Sequence, residues 1–244
     1  MLHYEIVGEG NKTVVCLHGF LESTTMWNVL ELDQFARLIL IDLPGHGKSG
    51  LEGIDSMSEM AEKVKQVVSK ENIESYDVIG HSMGGYVALM LKDLDERCDK
   101  IILMNSNVWS DSEQKKEDRK RVAKLVQTKK ERFVSEAIPN LFQAPENYPE
   151  QVAELVEEAK QISSEAVARA SIAMSERYDR VEWAYSGALE VYVIQGINDP
   201  IANVDSMRRT MVNQMERYFE VHTGHMAHLE ATEEVREILR DVLS

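Results

Sequence analysis

Short apolar runs that end in glycine- or proline-containing turns alternate along this chain with stretches whose apolar positions recur at helical spacing. The runs Lys12–Leu17 and Arg37–Ile41 read as buried strands. Ser56–Lys70 reads as a helix. Ser56 and Glu59 have capping-box spacing, and Met57, Met60, Ala61, Val64, Val67 and Val68 form one apolar stripe. Tyr76–Ile79 predicts the next strand, Gly84–Leu94 the next helix and Lys100–Met104 another strand. The pattern then changes. From about Asn107 to Gly187 nothing reads as a strand, and the charged segment predicts helices at Ser112–Gln127, Glu131–Ile138, Pro149–Ile162 and Ser164–Met174, interrupted by prolines at 139, 145 and 149. Alternation resumes with a strand at Leu189–Gln195, a helix at Val204–Val212, a strand at Arg217–Val221 and a closing helix at Thr232–Leu243.

Strands alternating with crossover helices imply an α/β fold, a mostly parallel sheet with helices on both faces. The expected organisation is a core built from 1–106 and 188–244, with an all-helical insertion at 107–187. Ligands of such sheets bind beyond the carboxyl ends of the strands. An insertion leaving the end of Lys100–Met104 is therefore placed to act as a lid over that edge. A chain of 244 residues with 43% hydrophobic content can bury one such core without disulfides or metals.

Composition narrows the function by exclusion. Asp and Glu outnumber Lys and Arg by 42 to 27, a formal net charge of −15, which argues against nucleic acid and anionic membrane surfaces as partners. No apolar run approaches the ~20 residues that span a bilayer, and Met1–Glu5 lacks the basic and apolar pattern of a leader. Cys16 lies in an apolar run and Cys98 in a charged stretch. Two such cysteines do not make a disulfide framework, and a cytoplasmic location is expected. Oligomeric state is not legible.

The strongest chemical signal is Gly80-His81-Ser82-Met83-Gly84, which follows an apolar strand and opens a helix. That is the context of a G-x-S-x-G elbow, a turn so sharp that the residues two before and two after the serine approach closely and favour glycine. A serine hydroxyl needs a base. Of seven histidines, His222, His225 and His228 follow the last strand, and Gly224 before His225 favours it modestly. The base needs an orienting carboxylate. Asp199, in Gly196-Ile197-Asn198-Asp199-Pro200, follows a late strand and gives the order Ser82, Asp199, His225; alone it would read as a turn former. An oxyanion needs preorganised N–H donors. Met83, at the helix start, and Phe20, in the loop His18-Gly19-Phe20, are the candidates. His18 reads as a brace for that loop rather than a base. Asp42 and His46 read as parts of a structural turn rather than a metal site. No metal or cofactor motif is present, so neither is expected.

The motifs Leu17-His18-Gly19-Phe20, Asp42-Leu43-Pro44-Gly45-His46-Gly47-Lys48-Ser49, Gly80-His81-Ser82-Met83-Gly84-Gly85, Gly196-Ile197-Asn198-Asp199-Pro200 and Gly224-His225-Met226-Ala227-His228-Leu229-Glu230, spread over nearly the whole chain, resemble the α/β-hydrolase superfamily in its branch of small lidded esterases and lyases. The resemblance implies His225 as base and Asp199 as acid. Leu21 stands where many relatives have proline, and Glu22 where many have a small residue. Ser82 argues against the dehalogenases and epoxide hydrolases of this fold, which use aspartate. The chain is also similar to the menaquinone-pathway lyase of this fold. Tyr86 replaces that lyase's arginine after the double glycine and argues against an anionic lyase substrate.

The expected activity is hydrolysis of a small, uncharged carboxylic ester through an acyl-enzyme. The alternatives are a lyase, a lactone or C–C bond hydrolase on the same triad, or a slow-turnover small-molecule receptor. Tyr86 and Met226, beside catalytic positions, are expected to line the pocket. Trp109, Leu141, Phe142 and Met174 could equally line it or form the core of the insertion. Glu22 leads to the expectation that anionic substrates are disfavoured.

Overall fold

The structure is a computed structural model that describes residues 1–187 and 190–244. Its frame is a seven-stranded sheet: β1 (Tyr4–Val7), β2 (Thr13–Leu17), β3 (Arg37–Ile41), β4 (Tyr76–His81), β5 (Cys98–Met104), β6 (Val191–Gly196) and β7 (Tyr218–Val221). The strands lie in the order β1-β3-β2-β4-β5-β6-β7. Only β1 is antiparallel, pairing with β3; every other pair is parallel. The sequence pattern passes over β1 because its four residues alternate too weakly, burying none of them fully. The expected strand start at Leu189, and position 188 where the core was to resume, lie outside the described residues.

The parallel strands are apolar on both sides, as burial under two helical layers requires. Along β2, Val15 and Leu17 face α1 (Met57–Lys70) and α2 (Met83–Leu94), while Val14 and Cys16 face the 3-10 segment Thr24–Leu30 and α9 (Thr232–Leu243). Ser56 caps α1 by accepting the Glu59 N–H at 3.0 Å. Cys16 and Cys98 are both buried and free.

Between β5 and β6 the chain forms α3 (Glu113–Ala137), α4 (Pro149–Gln161), α5 (Ser164–Ser175) and α6 (Val181–Tyr185). The break expected between 127 and 131 is a kink at Lys129, whose φ/ψ of −136°/32° leaves the helical region inside α3. The segment is tied to the core. Arg169 of α5 makes a two-pronged ion pair with Asp55 at 2.8 Å, and the Leu141 carbonyl accepts the His225 N–H at 2.7 Å. α7 (Val204–Thr210) follows β6, and α8 (Ala227–Glu230) precedes α9. Among the described residues no helix is long and apolar enough to cross a membrane.

Candidate active site

Parallel strands deliver their following loops to one edge of the sheet, and the five that follow β2, β4, β5, β6 and β7 meet here. The turn between β4 and α2 holds Ser82 at φ 48°, ψ −112°, a strained conformation for a non-glycine residue. Two glycines make the turn feasible. A Cβ on Gly80 would lie 2.5 Å from the Gly84 backbone, and one on Gly84 would lie 2.2 Å from the Leu17 carbonyl oxygen. The end of β5 and the loop after it pin the serine: Ser82 N–H donates to the Met104 carbonyl at 3.0 Å, and Ser106 Oγ donates to the Ser82 carbonyl at 2.7 Å.

Of the three late histidines, only His225 reaches the serine. Its Nε2 lies 2.8 Å from Ser82 Oγ, and its Nδ1 lies 2.8 Å from Asp199 Oδ2. His222 is exposed. His228 is buried behind His81, their rings 5.2 Å apart. Asp199 Oδ1 accepts the N–H groups of Ile201 (2.7 Å) and Ala202 (3.0 Å), and Oδ2 accepts the Asn105 amide (3.0 Å). Burial alone would raise the Asp199 pKa. The facing His225 imidazole, the Ala202 N–H and the Asn105 amide outweigh that and hold it below the usual carboxylate range.

His18 Nε2 accepts the Leu43 N–H at 2.9 Å, which leaves Nδ1 to donate to the Gly19 carbonyl at 2.7 Å. Both nitrogens are thereby committed to bracing the loop that carries Phe20. Asp42 ties the turn after β3, accepting N–H groups of Thr24 and Lys48 at 2.9 Å. No cluster of metal-ligating side chains occurs among the described residues.

Glu22 is buried and its charge is paired. Oε2 accepts the Gly19 N–H at 2.6 Å and faces His81 Nδ1 at 2.7 Å. Burial pushes its pKa up, but the His81 charge and hydrogen bond more than reverse this and hold it at about 2. Burial likewise lowers His81, and Glu22 together with the His225 carbonyl reverses it, so its pKa is raised. The carboxylate behind the expectation that anions are disfavoured thus lines the catalytic cavity paired with His81 through Oε2, while its Oε1 makes no hydrogen bond among the described residues.

Ser82 and His225 open into a cavity of about 360 Å³. Phe20, Leu21, Glu22, Tyr86, Leu141 and Met174 line it. Lys115, Arg119, Phe133 and Ala137 of α3 close it, with Asn140, Pro200 and Ile201. Two expected lining residues fall elsewhere. Met226 is 1% exposed and packs into the core. Trp109 lines an adjoining cavity of about 220 Å³, to which Asp111 and Arg177 also contribute. Phe142 is buried, its ring 5.6 Å from that of Tyr148. Sequence reasoning did not find Asn105, whose positive φ of 48° at the end of β5 is its only local signal. The cavity-facing cations of α3 also went unread.

The sequence profile described as the alpha/beta hydrolase fold matches residues 12–232. The chain belongs to the α/β-hydrolase family. Over 109 residues this hydrolase is 42% identical to the pimeloyl-[acyl-carrier protein] methyl ester esterase of Yersinia enterocolitica. That match covers 43% of this chain and 41% of the relative, so it spans about two fifths of the relative's length. Among solved structures, an esterase from Thermogutta terrifontis with malate bound superposes with a TM-score of 0.91 at 28% identity, covering 99% of this chain and 92% of that one. The enol-lactonase of Burkholderia xenovorans shares the fold at TM-score 0.89 and 23% identity, covering 99% and 96% of the two chains.

Proposed function

We propose that this α/β-hydrolase cleaves small carboxylic esters through an acyl-enzyme on Ser82. The observation that carries the reading is the unbroken chain Asp199–His225–Ser82, with links of 2.8 Å on both sides of the imidazole, at the wall of a largely apolar cavity. Similarity to two esterases supports it.

In this mechanism Ser82 Oγ attacks the ester carbonyl while His225 Nε2 takes its proton. Asp199 accepts from His225 Nδ1–H throughout, fixing the tautomer and stabilising the imidazolium. The Met83 and Phe20 N–H groups hold the oxyanion. His225 then protonates the leaving alcohol. Water attacks the acyl-enzyme with His225 as base, and Ser82 is regenerated. Tyr86, Leu141 and Met174 contact the substrate, and the helices of 107–187 act as the lid.

A chain-length series of 4-nitrophenyl esters, with Ser82→Ala beside the unmodified chain, tests the reading. Steady turnover is expected, with a loss of about 10⁴-fold or more in the variant. Labelling of Ser82 by a fluorophosphonate should disappear with it. Near-full turnover by Ser82→Ala would overturn the assignment. A single burst followed by stalling would favour a receptor over an enzyme.

A further inference from the structure

The wall of the catalytic cavity opposite in character to its apolar lining is the α3 face that carries Lys115 and Arg119, one helical turn apart. Both residues also line the adjoining 220 Å³ cavity, so they stand where the two spaces meet. Arg177 is spent: it stacks on the Tyr86 ring at 4.0 Å, donates to the Trp109 and Met174 carbonyls and pairs with Asp111 at 2.7 Å. Arg119 shares the same Asp111 carboxylate through Nε and leaves Nη1 against Met174 Sδ at 3.2 Å. The Lys115 ammonium has no hydrogen-bond or ion-pair partner among the described residues. Glu22, the other acid of these walls, is neutralised by His81.

Three cations thus face one buried carboxylate in a chain whose net charge is −15, a local inversion of sign. Burial depresses the Lys115 pKa, and Arg119 one turn away depresses it further. Lys115 also lies in the first turn of α3, where the helix end is positive and disfavours a cation. The Asp111 and Asp118 charges offset this only in part, and neither carboxylate bonds the half-desolvated ammonium; an anionic ligand group completes the compensation. Phe133, Leu141 and Met174 line the same cavity, which suits an apolar chain between Ser82 and the cations.

We propose that Lys115, assisted by Arg119, forms an anion subsite of the catalytic cavity, and that the substrate is an ester with a carboxylate at the end remote from the scissile bond. This rests on the esterase reading for the position of that bond.

The test compares the mono-4-nitrophenyl ester of adipic acid with the same ester methyl-capped at its free carboxylate. The unmodified chain should prefer the free acid, chiefly through KM. The preference should fall about tenfold or more in Lys115→Gln and invert in Lys115→Glu. A preference unchanged in both variants overturns the proposal. Calorimetric titration of adipate into Ser82→Ala gives a readout independent of turnover. Saturable adipate binding that is lost when Lys115→Gln is added supports the subsite even if neither ester is cleaved, in which case only the esterase reading fails. Binding that is absent, or indifferent to Lys115, overturns the subsite whatever the turnover.

Discussion

Glu22 Oε2 lies 2.7 Å from His81 Nδ1, and the opposite nitrogen of that ring donates to the His225 carbonyl oxygen at 3.0 Å. Both ring nitrogens face acceptors, so both carry protons and the ring is an imidazolium paired with a carboxylate. The same Oε2 accepts the Gly19 N–H. One buried ion pair therefore joins the Phe20 loop, the Ser82 turn and the His225 loop. It also places a neutralising charge beside a ring whose centroid is 5.1 Å from that of His225. His225 becomes cationic during the proposed reaction, and an uncompensated His81 charge would oppose that.

Breaking this pair from one side should be costly. Removing one partner of a buried ion pair costs about 3–5 kcal/mol. Glu22→Gln keeps the shape and an acceptor for Gly19, so about 3 kcal/mol of destabilisation is expected by urea unfolding. kcat should fall with it, because two loops of the site lose their tie. Adding His81→Phe should cost less than the sum of the two single variants, since each change alone strands the other partner. Strict additivity would refute the coupling.

Asp199→Asn should reduce kcat by about 10⁴-fold with the fold intact. Oδ1 must remain an acceptor, because the Ile201 and Ala202 N–H groups both donate to it. The amide nitrogen then takes the place of Oδ2, facing the Asn105 amide and His225 Nδ1 at 3.0 and 2.8 Å. The amide favours the His225 tautomer that accepts at Nδ1 and carries its proton on Nε2, where it can no longer take one from Ser82, over the one that keeps its 2.9 Å bond to Oδ1. Steady-state kinetics with a matched circular dichroism spectrum would check this. Retention of more than a tenth of kcat would contradict the assigned roles.

The elbow glycines allow a sharp contrast. An alanine Cβ at Gly84 would sit 2.2 Å from the Leu17 carbonyl oxygen, a backbone atom of a central strand that has no room to retreat. At Gly50 a Cβ meets nothing within 4 Å. Gly84→Ala should lose more than about 3 kcal/mol of stability or fail to fold, whereas Gly50→Ala should stay within about 0.5 kcal/mol of the unmodified chain. Thermal unfolding of the two side by side decides it.

The elbow was legible in the sequence because its signal is local: an apolar strand, two close glycines and a helix start within ten or so residues. The parallel strands were legible because burial on both faces makes each a continuous apolar run. Even the Lys129 kink showed, as a gap between two helical patterns. Asn105 did not, because its partners Asp199 and Gly224 are distant in sequence. Lys115 and Arg119 read as solvated charges of a polar helix, since no periodicity tells which turn of a long helix meets a cavity. Met226 fell outside the pocket lining because adjacency in sequence to a catalytic position does not set side-chain direction, and Trp109 because an apolar residue of the insertion carries no local sign of which hollow it faces. The Met226 side chain turns into the core, and Trp109 faces the neighbouring hollow.

Acid sensitivity should begin well above the carboxylate range, because three buried histidines, His18, His46 and His228, are held neutral. Burial lowers His228 to about 3, with the His81 charge adding to the effect, and lowers His46 to about 3 in the same way beside His18, which burial also lowers. The unfolded chain takes up these three protons near pH 6.5, but the folded chain does so only at lower pH, near 3 for His46 and His228. Stability is therefore full above about 6.5 and is lost as pH falls toward 3, by up to about 1.4 kcal/mol per pH unit for each histidine. His81 acts oppositely. Its raised folded pKa gives stability that is complete below 6.5 and lost as pH rises through the folded value, so it adds no slope in the acid window. Glu22 and Asp199, both depressed, contribute losses only as pH falls below about 4. Between pH 6.5 and 5 His46 and His228 together should cost about 2–4 kcal/mol, and His18 adds to the loss. Neither ring nitrogen of His228 has a hydrogen-bond partner among the described residues, so His228→Phe forfeits no hydrogen bond and removes one of the three titrations. Urea unfolding at pH 7, 6 and 5 should show this variant losing about 1–2 kcal/mol less stability than the unmodified chain. An unaltered slope would mean that the buried imidazole is not what acid attacks.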